Sequence, residues 1–285
     1  GGDHHSGMAE SEAEARELEV PGLLWRLGGR GTDMFKVPLG AATLNDGSVA
    51  VCNGASNRVV LLDPDDGHLR RVVDGFQFPC GIAATADGGF IVANHDSNTI
   101  VKHDREGVFE LEVATGFEQP NGVAVLVDGR IVVVDMGNDR VQVFSSEGKL
   151  LGEHDDLNKP CGVAALPDGN FVVCDGNNKR LKVFTPELDV VRVMTGVFKF
   201  PWGVTVLEDE TLLVSDQLAS ELLIVTVEGD VVKRIQETQD KARFNDPTGL
   251  AVLPGGRVVV VERTAAQVSC ISLQIESVLV KAAGR

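Results

Sequence analysis

PNGVAVLVDGRIVVVDMGNDRVQVF, Pro120 to Phe144, holds three strand-like runs separated by turn signals. Gly122–Leu126 is a short apolar run. Val127-Asp128-Gly129-Arg130 reads as a turn, because Gly supplies a positive φ and Asp bonds its own backbone. Ile131–Val134 is β-branched and continuous, the pattern of a strand buried on both faces. Asp135–Asp139 turns the chain again, and Arg140–Phe144 alternates polar and apolar as a half-buried strand does. Ser146-Glu147-Gly148 then leads into a weaker fourth run, Lys149–Gly152.

The unit recurs. Its opening Pro-x-Gly appears six times, as Pro38-Leu39-Gly40, Pro79-Cys80-Gly81, Pro120-Asn121-Gly122, Pro160-Cys161-Gly162, Pro201-Trp202-Gly203 and Pro247-Thr248-Gly249. A step of roughly 40 residues with four strands per step is the spacing of propeller blades. The expected fold is all-β, a six-bladed β-propeller of four-stranded blades. A single blade buries one face only, so the ring must close across the termini. Leu23–Leu27 (LLWRL) stands where each later blade has its preceding outer strand, and is read as the outer strand of blade 6; Ser277–Lys281 (SVLVK) competes for that place. Residues 1–20 are read as a tag remnant (Gly1–Gly7) plus a flexible acidic segment, and residues 21–285 as a single propeller.

The 285 residues carry a formal charge of −16. That balance opposes a purely electrostatic grip on phosphate or anionic lipid. No apolar run reaches the 18 residues of a membrane span. Cys52, Cys80, Cys161, Cys174 and Cys270 are odd in number and dispersed, with no CxxC pair, so neither a disulfide framework nor a thiolate zinc site is expected. Free thiols point to a reducing, cytoplasmic setting. A closed ring is expected to be monomeric.

The repeated pattern P-x-G-(V/I)-A-V-x-x-D-G-x-(I/F)-V-V-x-D-x-x-N-x-R-(V/L)-x-V-F resembles the NHL repeat. It is clearest in Pro120–Phe144 and in PCGVAALPDGNFVVCDGNNKRLKVF, Pro160–Phe184. The chain is similar in this respect to the C-terminal NHL propellers of tripartite-motif proteins, which implies recruitment of protein or RNA partners. Two blades depart from the pattern. Blade 5 lacks the N-x-R turn (Asp216-Gln217-Leu218-Ala219-Ser220-Glu221), and blade 6 has Glu262 where Asp is usual.

Several constellations invite chemistry. Asn53, Asn94, Asp135, Asp175, Asp216 and Glu262 close the six second strands and form a polar ring. Asn and Asp at such positions commonly bond nearby backbone, so each is expected to hold its own strand-two to strand-three loop. The fold also resembles six-bladed calcium-dependent lactonases, which place an Asn where Asn121 stands. They need carboxylates at the matching positions, here Leu39, Cys80, Cys161, Trp202 and Thr248, and hard cations want several oxygens. No metal, cofactor or catalytic residue is therefore assigned. No HxH or HExxH spacing occurs, and only His95 falls in a strand-two to strand-three loop. Cys80 and Cys161 read as small core residues.

Loops of a propeller alternate between two faces. The turns after first and third strands are rich in acids such as Asp46, Asp87, Asp128 and Asp168. The opposite face carries Lys36, Arg58, Arg140, Lys159, Lys179, Arg180, Lys199, Arg243 and Arg263, with Trp202 beside them, and these are the candidate binding residues. Phe35, Phe78, Phe117, Phe200 and Trp202 lie in or near the crossings and are expected mainly to pack between blades. The expected function is a non-catalytic scaffold docking a protein or peptide on this face. Single-stranded RNA is the alternative partner, and a calcium-dependent hydrolase or lactonase the second alternative.

Overall fold

The computed structural model describes residues 20–273. The tag remnant, most of the acidic segment and Ser277–Lys281 lie outside the described residues. The first strand, β1 (Gly22–Gly28), precedes the blades. Blade 1 is β2 (Pro38–Thr43), β3 (Val49–Asn53), β4 (Arg58–Leu62) and β5 (Leu69–Asp74). Blade 2 is β6 (Pro79–Ala84), β7 (Phe90–Asn94), β8 (Thr99–His103) and β9 (Phe109–Thr115). Blade 3 is β10 (Pro120–Val125), β11 (Ile131–Asp135), β12 (Arg140–Phe144) and β13 (Leu150–His154). Blade 4 is β14 (Pro160–Ala165), β15 (Phe171–Asp175), β16 (Arg180–Phe184) and β17 (Val190–Met194). Blade 5 is β18 (Pro201–Val206), β19 (Leu212–Asp216), β20 (Glu221–Val225) and β21 (Val231–Ile235). Blade 6 is β22 (Pro247–Leu253), β23 (Arg257–Glu262) and β24 (Gln267–Ser272), and its fourth place is filled by β1.

Every blade is an antiparallel meander, and the molecule is a six-bladed β-propeller. β1 runs antiparallel to β24 from Gly22 opposite Ser272 to Gly28 opposite Gln267. Trp25 anchors this closing strand: it is buried, and its indole Nε1 donates to the Pro64 carbonyl at 3.2 Å.

The Pro-x-Gly motif has a steric cause. Proline opens each innermost strand, where no ladder N–H is needed. A bulge follows in all six blades, between Pro38 and Ala41 in blade 1 and at the corresponding place in the others. The glycine then lies against the next blade. A Cβ on Gly40 would overlap the carbonyl oxygen of Cys80; Gly81 meets Asn121, Gly122 meets Cys161, Gly162 meets Trp202, Gly203 meets Thr248, and Gly249 meets Leu39. The last contact brings blade 6 back to blade 1. The bulge also explains why each innermost strand starts at its proline, two residues before the apolar run read from the sequence.

Each junction between blades has its own hydrophobic cluster. Leu181 and Val183 of blade 4 pack with Leu212 and Val214 of blade 5, and Trp25, Phe35, Val51 and Val259 join blades 6 and 1. The second strands are buried throughout, β11 and β15 among them. Full burial of such a Val, Leu or Ile contributes about 1.5–3 kcal/mol, so the junctions rather than the single blades carry the fold.

Candidate binding site at the channel mouth

The six residues that end the second strands act as latches over the crossings. Asn53 Oδ1 accepts the backbone N–H of Lys36, and Asn94 that of Gln77. Asp135 accepts Glu118, Asp175 accepts Asn158, Asp216 accepts Lys199, and Glu262 accepts Asn245, at 2.6–2.8 Å. The shared bond thus reaches back to the crossing that enters the same blade. It differs from the expected hold on the strand-two to strand-three loop, which is an addition at Asp135, Asp175 and Asp216 through Asn138, Asn178 and the Ala219 N–H. The crossing needs an acceptor because its N–H groups face inward without a strand partner.

Arg140 and Arg180 belong to these latches. Arg140 Nε donates to Asp135 at 2.8 Å and Nη1 to Glu153 at 2.9 Å. Arg180 Nε donates to Asp175 at 2.6 Å, and its Nη2 lies 3.5 Å from Asp156. Arg58 stands 3.7 Å from Asp74, and Lys36 3.6 Å from Asp33. Lys179, Lys199 and Arg243 are exposed on separate loops. The structure brings together three of the ten sequence-assigned residues, Lys159, Trp202 and Arg263, around one cavity.

That cavity is a funnel of about 500 Å³ at the mouth of the central channel. It is lined by Val37, Leu39, Phe78, Cys80, His95, Asn121, Met136, Lys159, Asn177, Phe200, Trp202, Gln217, Leu218 and Arg263. Below it the channel narrows to about 70 Å³, walled by the Pro-x-Gly strands and sharing Leu39, Cys80, Asn121 and Trp202 with the funnel. Twelve of the fourteen lining residues come from three positions of the repeat. One is the middle residue of Pro-x-Gly: Leu39, Cys80, Asn121 and Trp202. The second is the residue before the proline: Val37, Phe78, Lys159 and Phe200. The third follows the latch residue: His95, Met136, Gln217 and Arg263. Where that third position is glycine, an aromatic ring from the next blade occupies the space. A Cβ on Gly54 would meet Phe78 at 3.3 Å, and one on Gly176 would meet Phe200 at 2.8 Å.

The funnel is asymmetric. Trp202 and Phe200 lie 6.1 Å apart between ring centroids, and the Arg263 guanidinium sits 5.5 Å from the Trp202 ring. Arg263 Nε is held by Asp246 at 2.8 Å, and His95 Nδ1 lies 2.7 Å from Asp96. Neither Asp96 nor Asp246 lines the cavity, and among the described residues neither does any other carboxylate. Gln217 donates its backbone N–H to the Phe200 carbonyl, but among the described residues its buried side-chain Nε2 has no hydrogen-bond partner. Among the same residues Asn121 Nδ2 has only the Met136 sulfur, at 3.8 Å. Burial pushes the Cys80 and Cys161 thiols well above their ordinary range, so they stay protonated and unreactive.

The expected inter-blade role of the phenylalanines applies to Phe35 and Phe117, which are buried in junction clusters. Phe78 and Phe200 also pack across a junction, against Gly54 and Gly176, and together with Trp202 they reach the funnel wall as well. Met136, Asn177, Gln217 and Leu218 were not singled out in the sequence. Met136 and Gln217 had a legible signal, the position one past the latch residue.

The NHL repeat model matches residues 117–144 and 157–184. Blades 3 and 4 are NHL repeats. A comparison with curated protein sequences finds no match. Among solved structures, the chain is similar to a streptogramin B lyase, with 15% identity, a TM-score of 0.66, and coverage of 84% of this chain and 94% of that one. It is similar to virginiamycin B lyase from Staphylococcus aureus at 14% identity and TM-score 0.66, covering 87% and 98%. A chain of a nidogen/laminin complex matches at 17% identity and TM-score 0.65, covering 76% and 84%. These likenesses are of fold.

Proposed function

We propose that this NHL propeller is a non-catalytic docking platform whose channel mouth seats a peptide segment of a protein partner. The observation that carries this reading is the funnel itself. It is large enough for a few residues of chain and mostly apolar, with a small number of placed polar groups, which is the make-up of a ligand site. Its lining charges, Lys159 and Arg263, are both cationic in a chain of net charge −16. Resemblance to tripartite-motif propellers implies partners of the protein or RNA class. The protein class is favoured here because Arg140 and Arg180 are each shared between two carboxylates, which leaves only Lys159 and Lys179 of the candidate cations on blades 3 and 4 open to a phosphate backbone. A docking role is favoured over thiol catalysis because burial keeps the Cys80 thiol protonated although His95 lines the same funnel.

The test is selection from a random peptide display library against the purified propeller, with Trp202→Ala as the counter-screen. The expected result is a family of enriched peptides whose affinity drops at least tenfold on Trp202→Ala, with the melting temperature unchanged. Failure to enrich any peptide would overturn the proposal. So would enrichment of a motif from a random single-stranded RNA pool at near-physiological salt, lost on Arg140→Glu with Arg180→Glu.

A further inference from the structure

The funnel wall offers hydrogen-bond donors without acceptors to match. Gln217 is 8% exposed and its Nε2 has no partner among the described residues, although a buried unpaired amide donor ordinarily costs about 1–3 kcal/mol. Such a group persists where a ligand completes it. Lys159 lies on the rim with no ion pair among the described residues; its backbone N–H is taken by Asp139 and its carbonyl by the Cys161 thiol, and its ammonium is in neither bond. Asn121, at the floor, has a thioether as its only side-chain partner. Beside these donors stands an apolar wall of Trp202, Phe200 and Leu218, the last 67% exposed. The complement of this surface is an anion carrying an apolar group.

The shape narrows the choice. The cavity falls from about 500 Å³ at the mouth to about 70 Å³ in the channel, within a ring closed on all sides. An internal peptide segment can cross the open mouth, but one that reached the floor at Asn121 would have to turn back inside the funnel to leave it. A chain end enters without reversing. Resting on the peptide-docking reading above, we infer that the funnel recognises the C-terminus of its partner: the free α-carboxylate takes the Gln217 amide and the Lys159 ammonium, and an apolar last side chain lies on Trp202 and Phe200.

The intact chain provides its own probe. It has two tryptophans, of which Trp25 is a buried residue of β1 and Trp202 lines the funnel, so a change in tryptophan emission reports occupancy. Peptides are selected from a library displayed with free C-termini, and each hit is resynthesised as the free acid, as the C-terminal amide and as its last residue alone in N-acetylated form. Expected are binding of the acid with a shift in emission, at least tenfold weaker binding of the amide, and loss of most of the affinity on Gln217→Leu or Lys159→Met at unchanged melting temperature. Affinity should also fall as salt rises, since a charge-assisted contact supplies part of it. Binding of the isolated N-acetyl residue as tightly as the peptide would overturn the inference in favour of a free small acid. Equal affinity of amide and acid would overturn it too, while leaving the peptide platform standing. Absence of any peptide binder would remove both.

Discussion

Blades 4 and 5 are neighbours built to one plan, yet they solve the same latch in opposite ways. In blade 4 the buried Asp175 accepts from the crossing (Asn158 N–H), from its loop (Asn178) and from Arg180, the first residue of β16. In blade 5 the corresponding first residue of β20 is an acid, Glu221, buried and paired with Arg234 from β21, with Gln236 beside it. The ion pair survives with its polarity reversed and its partner moved to the outer strand. Asp216 is thereby left without an arginine, and it gathers three backbone N–H groups, those of Lys199, Phe200 and Ala219. The regular blade is a frame. The irregular blade keeps the frame by other means and supplies Trp202, Gln217 and Leu218 to the funnel.

The difference can be broken most forcefully at the two aspartates. Asp175→Asn removes the charge opposite Arg180, a cation whose side chain is only 21% exposed, and leaves it poorly matched. Stranding one partner of a buried pair costs about 3–5 kcal/mol, and partial exposure of Arg180 brings the expectation to about 3. Asp216→Asn keeps an acceptor for backbone donors, as Asn53 and Asn94 already do in blades 1 and 2, and should cost about 1 kcal/mol. Denaturant unfolding of the two variants measures the gap; equal losses would show that the arginine is no part of the latch.

A smaller effect sharpens the reversed pair. Glu221→Arg alone sets a cation beside Arg234, and Arg234→Glu alone sets an acid beside Glu221. Each should cost about 2 kcal/mol, while the double exchange should recover about 1 kcal/mol or more of the sum. A double variant no better than additive would mean that Glu221 is held by packing alone.

Blade 2 departs from the frame in its core. His103 pairs with Phe90 across the ladder, where blades 3 and 4 have Phe144 and Phe184. Its ring stacks on Phe90 at 5.4 Å, and its buried Nδ1 has no partner. Burial lowers its pKa from the ordinary 6.5, against smaller opposing effects of Asp104 and Glu110. The folded protein therefore binds a proton less readily than the unfolded chain. Stability contributed by neutral His103 is intact above pH 6.5 and is lost as pH falls through the depressed value. His103→Phe should flatten that acid loss and raise the melting temperature at pH 5 by a few degrees, about 1 kcal/mol. An unchanged pH slope in the variant would place the acid sensitivity elsewhere, with His154, also shifted down by burial and Lys182, as the next position to substitute.

The ring and its blade count were legible because close packing imposes them at fixed intervals: a proline without an N–H, a glycine against a neighbour's carbonyl, a β-branched second strand. Which terminal segment closes the ring was not, because Leu23–Leu27 and Ser277–Lys281 carry the same short apolar pattern. The site was legible only in part. Positive charge on one face pointed to Arg140 and Arg180, but charge in a sequence carries no information about whether a carboxylate already faces it, and Asp135 and Asp175 do. Leu218 was invisible for the reverse reason, since in a strand-two to strand-three loop it resembles any solvated turn. Gln217 becomes readable only through the ring, which points the position after each latch residue at a common axis.

The smallest predicted effect on stability bears most directly on how the site arose. In blades 2, 3 and 4 the residue before the proline has a positive φ, and its N–H is taken by the turn residue of the preceding blade: Phe78 by Asn57, Gln119 by Asn98, Lys159 by Asp139. The turn residue of blade 4 is Lys179, whose side chain accepts nothing. The Phe200 N–H goes to Asp216 instead, and Phe200 alone of the six pre-proline residues stays out of the left-handed region. A missing acceptor alone does not do this, since Val37 keeps its positive φ although Ala266 of the preceding blade offers none; what sets Phe200 apart is the lysine together with the bond of its N–H to Asp216. Lys179→Asn restores the acceptor. It should draw the Phe200 N–H across the junction and rotate its backbone toward the conformation of Phe78, changing stability by less than about 0.5 kcal/mol, because one hydrogen bond replaces another. The consequence should appear in the funnel, as a shift in Trp202 emission and a several-fold loss of peptide affinity. If emission and affinity both stay constant while the Phe200 amide resonance moves, the aromatic wall is set by packing against Gly176, and the lysine is incidental to it.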